Sequence, residues 1–416
     1  MRLCFYNPQV ADILGLTLFA ALFFPGEVGK RKRRMDFLLD VLRDKKYETA
    51  IVVDGTVSSI PLSRLGPFFS SSRFVRFFSF LEAYAWCVVN RINPLKQAII
   101  FSFGRLDPKN DFLFGFAFLG KTFLDEEVVE RGFFKRFRGA KALHVTHFFD
   151  NTGLIANNVK KTGAKIAVAE VNLKNSGYFN AYFGFIDSVC LLRFVLREKY
   201  VSKTEFFTRK NKCVALGTLA FFPEANKSTI DHFAFFRTDT LHPMRKVIFD
   251  NRSKLRIIDS LIGYQPKPRV KKKGIISLFL SNFGFAGKEY HGFNIVDVFN
   301  EYRMFIASEE NIGLPSVSVI EGMACGCAYV GLDDPMYADL GMKGGVHYIP
   351  YNGTIKDLVK KIEYYQAHEE ELRKIAAAGR RLVREHFAKD RVIRDFFEAL
   401  EVVHRKHISR SSTSDA

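Results

Sequence analysis

The chain has 416 residues, 48% of them hydrophobic, and a formal net charge of +18. That length exceeds one ordinary core and fits two domains of about 200 residues each. Six cysteines scattered over it form neither a disulfide framework nor a zinc-ligand spacing, which favours a reducing, cytoplasmic compartment.

The first strand is expected at residues 3–6. The apolar run 13–24, bounded by Asp12 and Pro25, is shorter than the ~20 residues a bilayer span needs. It lacks the basic start and cleavage site of a signal peptide, so a buried helix is expected there. Residues 35–42 have helical spacing, and 50–54 form a strand closed by Gly55. The segment 73–89 is helical in period, through Phe74, Phe77, Phe78, Leu81, Ala85 and Val88. Arg73 and Arg76 share its aromatic face, which fits a core helix with snorkelling arginines or a face resting on lipid headgroups. Further strands are expected at 98–101, 142–145 and 166–169. Strands separated by helical stretches predict a parallel, doubly wound sheet.

A second α/β block opens near Lys212, with a strand at 213–216 running into Gly217-Thr218. Ligands of a parallel sheet gather at such strand ends, and glycine lets the backbone approach a phosphate. Residues 237–246 set polar groups around Pro243, which starts a helix over 243–251, followed by the adjacent cations Arg245 and Lys246. A basic, proline-containing connector at 265–273 reads as a mobile loop. Residues 313–331 then give a loop, a short helix, a glycine stop at Gly326 and a buried strand at 328–332. Ser316 suits the N-cap, with Pro315 fixing the entry. Glu321 is the one charged side chain of that apolar helix. A carboxylate there accepts two hydroxyls, as a ribose diol offers, while the helix start at Ser316-Val317 suits a phosphate. Asp333-Asp334 before Pro335 reads as a turn, and residues 369–404 as charged helix.

The run Gly313-Leu314-Pro315-Ser316-Val317-Ser318-Val319-Ile320-Glu321-Gly322-Met323-Ala324-Cys325-Gly326 closely resembles the donor-site signature of the group 1, retaining GT-B glycosyltransferases. That signature is a Glu, seven residues, then a second Glu before a small-Met-Ala-x-Gly run. The second Glu, which in the family grips the ribose of a nucleotide-sugar, maps onto Glu321. The first falls on Gly313, while Glu309 and Glu310 stand three or four residues earlier. Either a longer loop lets Glu310 reach the sugar, or the first carboxylate is missing. Residues 344–354 are similar to the family's next loop and strand, which passes the nucleotide base.

The resemblance implies two Rossmann-like domains facing across a cleft: residues 1–208 on the acceptor side, 209–388 holding the nucleotide-sugar, and 389–416 a helix returning to the first domain, then a polar tail. It implies donor contacts at Gly217, Thr218, Gly313, Leu314, Pro315, Ser316, Val317 and Glu321. Arg245 and Lys246 are assigned to the leaving diphosphate by chemistry, because a developing phosphate charge needs cations when no metal supplies them. In the family a histidine often ends a first-domain strand facing the sugar. Here His144 and Thr146 share one strand face and His147 stands at the exit, so His147 and Glu310 are the candidates for the catalytic centre. Asp54 is a comparable strand-end carboxylate on the acceptor side. No cofactor is expected, and the absence of an Asp-x-Asp pair at a strand end argues against a metal.

The expected activity is sugar transfer from a nucleotide-sugar to a lipid-linked or polysaccharide acceptor, with retention, as in capsule or lipopolysaccharide assembly. The positive charge and the 44 phenylalanines suit the inner face of a cell membrane. No recognition helix or RNA-binding aromatic signature accompanies the basic clusters, which disfavours nucleic acid as a partner. Two alternatives share the fold: a sugar-nucleotide 2-epimerase, and a non-catalytic GT-B partner subunit.

Overall fold

The computed structural model describes residues 1–6, 36–44, 46–54, 72–89, 92–93, 98–115, 122–124, 126–219, 226–264 and 293–414. The expected helix at 13–24, the turn at Gly55 and the connector at 265–273 lie outside the described residues. So does the side chain of Arg73.

The first half runs β1 (Arg2–Tyr6), α1 (Asp36–Arg43), β2 (Thr49–Val52), α2 (Ser72–Val89), β3 (Ala98–Ile100), β4 (Asp111–Gly115), α3 (Glu126–Arg131) and α4 (Phe133–Arg136). It continues with β5 (Lys141–His144), α5 (Thr152–Lys161), β6 (Ile166–Ala169), α6 (Gly177–Phe183) and β7 (Ser188–Leu191). The strands pair in parallel in the order β3-β2-β1-β4-β5-β6-β7. Their side chains alternate faces, as strand geometry requires. Leu3, Phe5, Phe112, Phe114 and Ala142 enter one core cluster, whereas Cys4, Tyr6, Leu113 and Leu143 enter another.

The second half runs β8 (Lys210–Leu219), α7 (Ile230–Phe236), α8 (Pro243–Asp250), β9 (Ile258–Tyr264), α9 (Ile295–Glu301), β10 (Tyr302–Ile306), α10 (Ser318–Ala324) and β11 (Ala328–Leu332). It ends with α11 (Met336–Asp339), β12 (Ile349–Tyr351), α12 (Ile355–Ala367), α13 (Glu369–His386) and α14 (Lys389–Ser414). The sheet order is β12-β11-β10-β8-β9, again parallel. Its chain order reverses between β8 and β10, and a crevice opens at the carboxyl ends of strands at such a switch point.

Helix α14 returns to the first sheet. Val392, Ile393, Phe396, Phe397 and Leu400 are buried with Leu3, Phe5, Phe114 and Val168, and Phe397 stacks on Tyr47 at 3.8 Å. The fold is therefore two Rossmann-like α/β domains with a C-terminal helix crossing back onto the first. One core cluster runs through the junction, from Phe148 and Tyr178 to Ile312, Leu314 and Phe305.

Candidate functional site

Strand β8 delivers Gly217 and Thr218 to the crevice, and β10 delivers the segment 307–310 beside them. Between them lies Arg245, in the first turn of α8 and only 6% exposed. Its Nη1 donates to the Thr218 carbonyl at 2.8 Å and its Nη2 to the Ser308 carbonyl at 3.1 Å. Gly217 lies against the guanidinium: a Cβ there would fall 2.4 Å from the Arg245 Cζ and Nε, and φ is +131°. Only glycine fits that approach. Burial pushes the Arg245 guanidinium down to about 10, with Glu310 and Glu309 opposing it, so it stays charged at neutral pH. Its Nε is buried and takes no acceptor among the described residues. Leu216, Gly217, Arg245, Phe293, Ile295, Ala307, Ser316 and Ser318 line one pocket. Lys246, by contrast, forms an i,i+4 pair with Asp250 at 3.3 Å and is not in that lining.

The two adjacent glutamates after β10 have opposite fates. Glu309 turns inward: its Oε1 accepts from the Leu332 amide at 2.9 Å, the Tyr329 hydroxyl at 3.0 Å and the Tyr337 hydroxyl. Glu310 turns to the cleft, where its Oε1 meets His147 Nδ1 of the first domain at 2.8 Å. Its Oε2 is buried and takes no donor among the described residues. The following turn closes on itself, with the Glu310 amide donating to Leu314 O at 2.9 Å and the Gly313 amide to Glu310 O at 3.0 Å. Glu310 and Leu314 thus become neighbours across a β-bridge.

Gly313 cannot carry the missing carboxylate. Its φ is +88°, and a Cβ there would lie 2.9 Å from the Cβ of Ser176. Ser176 caps α6 by accepting from the Phe179 amide, and its hydroxyl donates to Ile312 O at 2.7 Å across the junction. Gly313 is a docking point between the halves. Ten residues, 311–320, separate Glu310 from Glu321 where the signature has seven, and this turn absorbs part of the excess.

Leu314 and Pro315 are buried, and Val317 packs against the core. Ser316 lines the pocket, but the helix begins one residue later than Ser316 as N-cap would start it. Val317 already has helical φ and ψ and takes the cap position, while Ser316 Oγ accepts from the Ser318 amide at 3.3 Å. Glu321 lies three residues after Ser318, on the same helix face. It is 6% exposed and accepts a hydrogen bond from Tyr200, a residue between β7 and β8. Burial first, and then the Glu321 charge, raise the Tyr200 phenol.

On the first domain, His147 follows β5 in a left-handed conformation, φ 48°. The other non-glycine residues with positive φ are Asn151 and Arg237, at 51° and 53° among the described residues. All three flank the junction, where such strained backbone tends to collect. There the Asn151 amide donates to Ser228 O at 2.5 Å, and the Gly153 amide to Asp231 Oδ2 at 2.8 Å. His144 stays at the end of β5, three residues earlier, with burial holding its imidazole down to about 4. Asp54 is enclosed by the Tyr6 hydroxyl and the Phe133 amide.

Several site residues have no counterpart in the sequence reading: His242, Asn311, Ser176 and Tyr200. His242 stood inside the singled-out run 237–246, directly before Pro243, and that position was its signal. The others are joined to the site only by the fold. All six cysteines are buried and free. Among the described residues, no group of three or more His, Cys, Asp or Glu is placed to hold a metal. None of the described helices is long and apolar enough to cross a membrane.

Residues 273–398 match a protein family described as glycosyl transferase-like. Protein O-glucosyltransferase 2 of Danio rerio is 45% identical over 47 residues, which is 11% of this chain and 9% of that protein's length. The Anabaena Alr3699/HepE structure in complex with UDP and glucose superposes with a TM-score of 0.50 at 10% identity, over 97% of this chain and all of that one. Sucrose-phosphate synthase of Thermosynechococcus elongatus gives 0.47 at 9% identity over the whole of both chains. Two Rossmann-like domains and the returning helix give the chain the GT-B fold, and within the second domain the segment 273–398 is similar to glycosyl transferases.

Proposed function

We propose that this protein transfers a sugar from a nucleoside-diphosphate sugar, held by residues 209–388, to an acceptor received by residues 1–208, with 389–416 returning to the first domain. Two buried, unsatisfied atoms carry the reading. Arg245 Nε is a donor without an acceptor, and Glu310 Oε2 is an acceptor without a donor. Buried polar atoms in native proteins are almost always paired, so both are explained by a ligand with the complementary chemistry. A diphosphate supplies the acceptor and a sugar hydroxyl the donor, joined as in a nucleotide-sugar. Arg245 then balances the charge of the departing diphosphate, Ser316 and Ser318 hydrogen-bond it, and Glu321 releases Tyr200 to accept the ribose hydroxyls. His147 and Glu310 meet where the anomeric carbon would lie. A front-face departure, in which the leaving phosphate takes the acceptor proton, retains configuration and needs no protein nucleophile.

A thermal-shift screen against UDP, GDP, ADP, CMP and dTDP tests this. One of them at 100- to 1,000-fold above its Kd should stabilise the protein by about 3–4 kcal/mol. Glu321→Ala should lose most of that gain. If no nucleotide stabilises the wild type, the donor-site reading is wrong.

The acceptor we propose is lipid-linked. Helix α2 exposes Phe77 (55%), Phe80 (38%), Tyr84 (38%) and Val88 (54%) at spacings that form one stripe, with Arg76 exposed beside it. An aromatic stripe on a chain of net charge +18 suits an anionic bilayer surface. Phe77→Ser with Val88→Ser should weaken co-sedimentation with phosphatidylglycerol vesicles at least tenfold, about the effect of removing 1.4 kcal/mol of apolar burial. Unchanged sedimentation would remove the membrane from the account.

A further inference from the structure

His242 enters neither the family signature nor the pocket lining, yet its ring is tied to the same centre. The segment 240–242 runs alongside 309–311. The Asn311 amide donates to Leu241 O at 2.9 Å, Asn311 Nδ2 reaches Thr240 O at 3.4 Å, and His242 Nδ1 lies 3.1 Å from Glu309 O. The Thr240 hydroxyl accepts the His242 amide at 3.2 Å, which fixes the base of the side chain. The groups whose charges reach this imidazole are Arg245, Glu310 and His147. They are the three that define the cleft.

A carbonyl oxygen can only accept, so the contact with Glu309 O puts the hydrogen on Nδ1. Burial, and next the Arg245 charge, hold the ring down to about 4, so it is neutral at physiological pH. A neutral imidazole protonated on Nδ1 carries a lone pair on Nε2. That atom takes no hydrogen bond among the described residues, and it is not among the buried atoms without a partner. The backbone of the glutamate pair thereby selects the tautomer and leaves an acceptor on a ring within reach of the Glu310 charge.

We propose that His242 is a specificity-determining contact that accepts a hydrogen bond through Nε2 from a hydroxyl of the transferred sugar. The inference rests on the donor-site reading and adds a second sugar contact to that of Glu310. It requires a sugar with a free hydroxyl at that position, and it separates recognition of the sugar from recognition of the nucleotide. His242 would act on the sugar moiety alone.

Two amide replacements test it, because each preserves one ring nitrogen's place. In His242→Asn the amide nitrogen can still donate to the Glu309 carbonyl, but nothing stands where Nε2 was. In His242→Gln the longer amide puts an oxygen near the Nε2 position and gives up the anchor. UDP, GDP and ADP would be titrated into the wild type and both variants, alongside UDP-glucose, GDP-mannose and ADP-glucose. The inference expects His242→Asn to bind the free diphosphate as the wild type does and the matching nucleotide-sugar about tenfold more weakly, the loss of one neutral hydrogen bond. His242→Gln should recover part of that difference. If His242→Asn binds the nucleotide-sugar as tightly as the wild type, or weakens diphosphate and nucleotide-sugar equally, the sugar contact is refuted while the donor site stands. If the wild type binds no nucleotide, the donor site fails and the sugar contact with it.

Discussion

Arg245→Gln should lower the rate of sugar transfer about 10²- to 10³-fold, the size of effect seen when one preorganised charge-stabilising donor is removed. Arg245 is a buried cation whose two Nη groups are fixed by the carbonyls of Thr218 and Ser308. In the proposed function it is therefore already oriented when the diphosphate departs. Glutamine keeps part of the volume but no charge, and it leaves carbonyls short of a donor, at a folding cost of about 1–3 kcal/mol. Urea unfolding of the variant separates that cost from the catalytic one. Gly217→Ala should reach the same phenotype with the charge retained, since its Cβ would displace the guanidinium and its φ of +131° disfavours any side chain. Transfer at the wild-type rate by either variant would show that the diphosphate binds elsewhere.

Glu310→Gln should reduce kcat about 10²-fold and leave the affinity for free nucleoside diphosphate within twofold. Glutamine is nearly isosteric with glutamate. It keeps an oxygen for a sugar hydroxyl but lacks the negative charge that a carboxylate sets beside the positive charge growing on the anomeric carbon. It also puts a neutral amide where the carboxylate meets His147 Nδ1. Steady-state kinetics together with nucleotide titration check both parts. A variant that loses nucleotide affinity but keeps kcat would place Glu310 on the diphosphate instead of the sugar. Glu309→Gln is the instructive neighbour. Glu309 is held by two tyrosines and an amide away from the cleft, so its loss should appear in stability.

Much of this arrangement was legible in the sequence because periodicity and neighbours suffice for local structure. The strand at residues 166–169, the helix that fills Ser72–Val89 and the strand Ala328–Leu332 all read correctly from apolar spacing. Strand β4 did not, because it opens on Asp111, whose burial is offset by Arg2 of β1 at 2.7 Å and by the Asp107 amide at 2.8 Å. No local pattern announces a pairing across 109 positions. The site divided in the same way. Glu321, Gly217 and Arg245 carry local cues: a lone charge in an apolar helix, a glycine at a strand end and a cation in a proline-started turn.

What separates Glu310 from Glu309 is the turn that bridges Glu310 to Leu314 and the tyrosines that claim Glu309. Both depend on tertiary contacts. The same holds for Gly313, whose lack of a side chain is explained only by Ser176, 137 positions earlier in the chain.

The most direct test of the central claim is a crystal structure of the protein with the stabilising nucleoside diphosphate bound. The diphosphate should lie between Arg245, Gly217 and the serines at 316 and 318, with the ribose hydroxyls on Glu321 and Tyr200 displaced from it. Open space for a sugar should remain between Glu310 and His147. A nucleotide seated away from Arg245, or a Glu321 still bonded to Tyr200 beneath an uncontacted ribose, would contradict the claim.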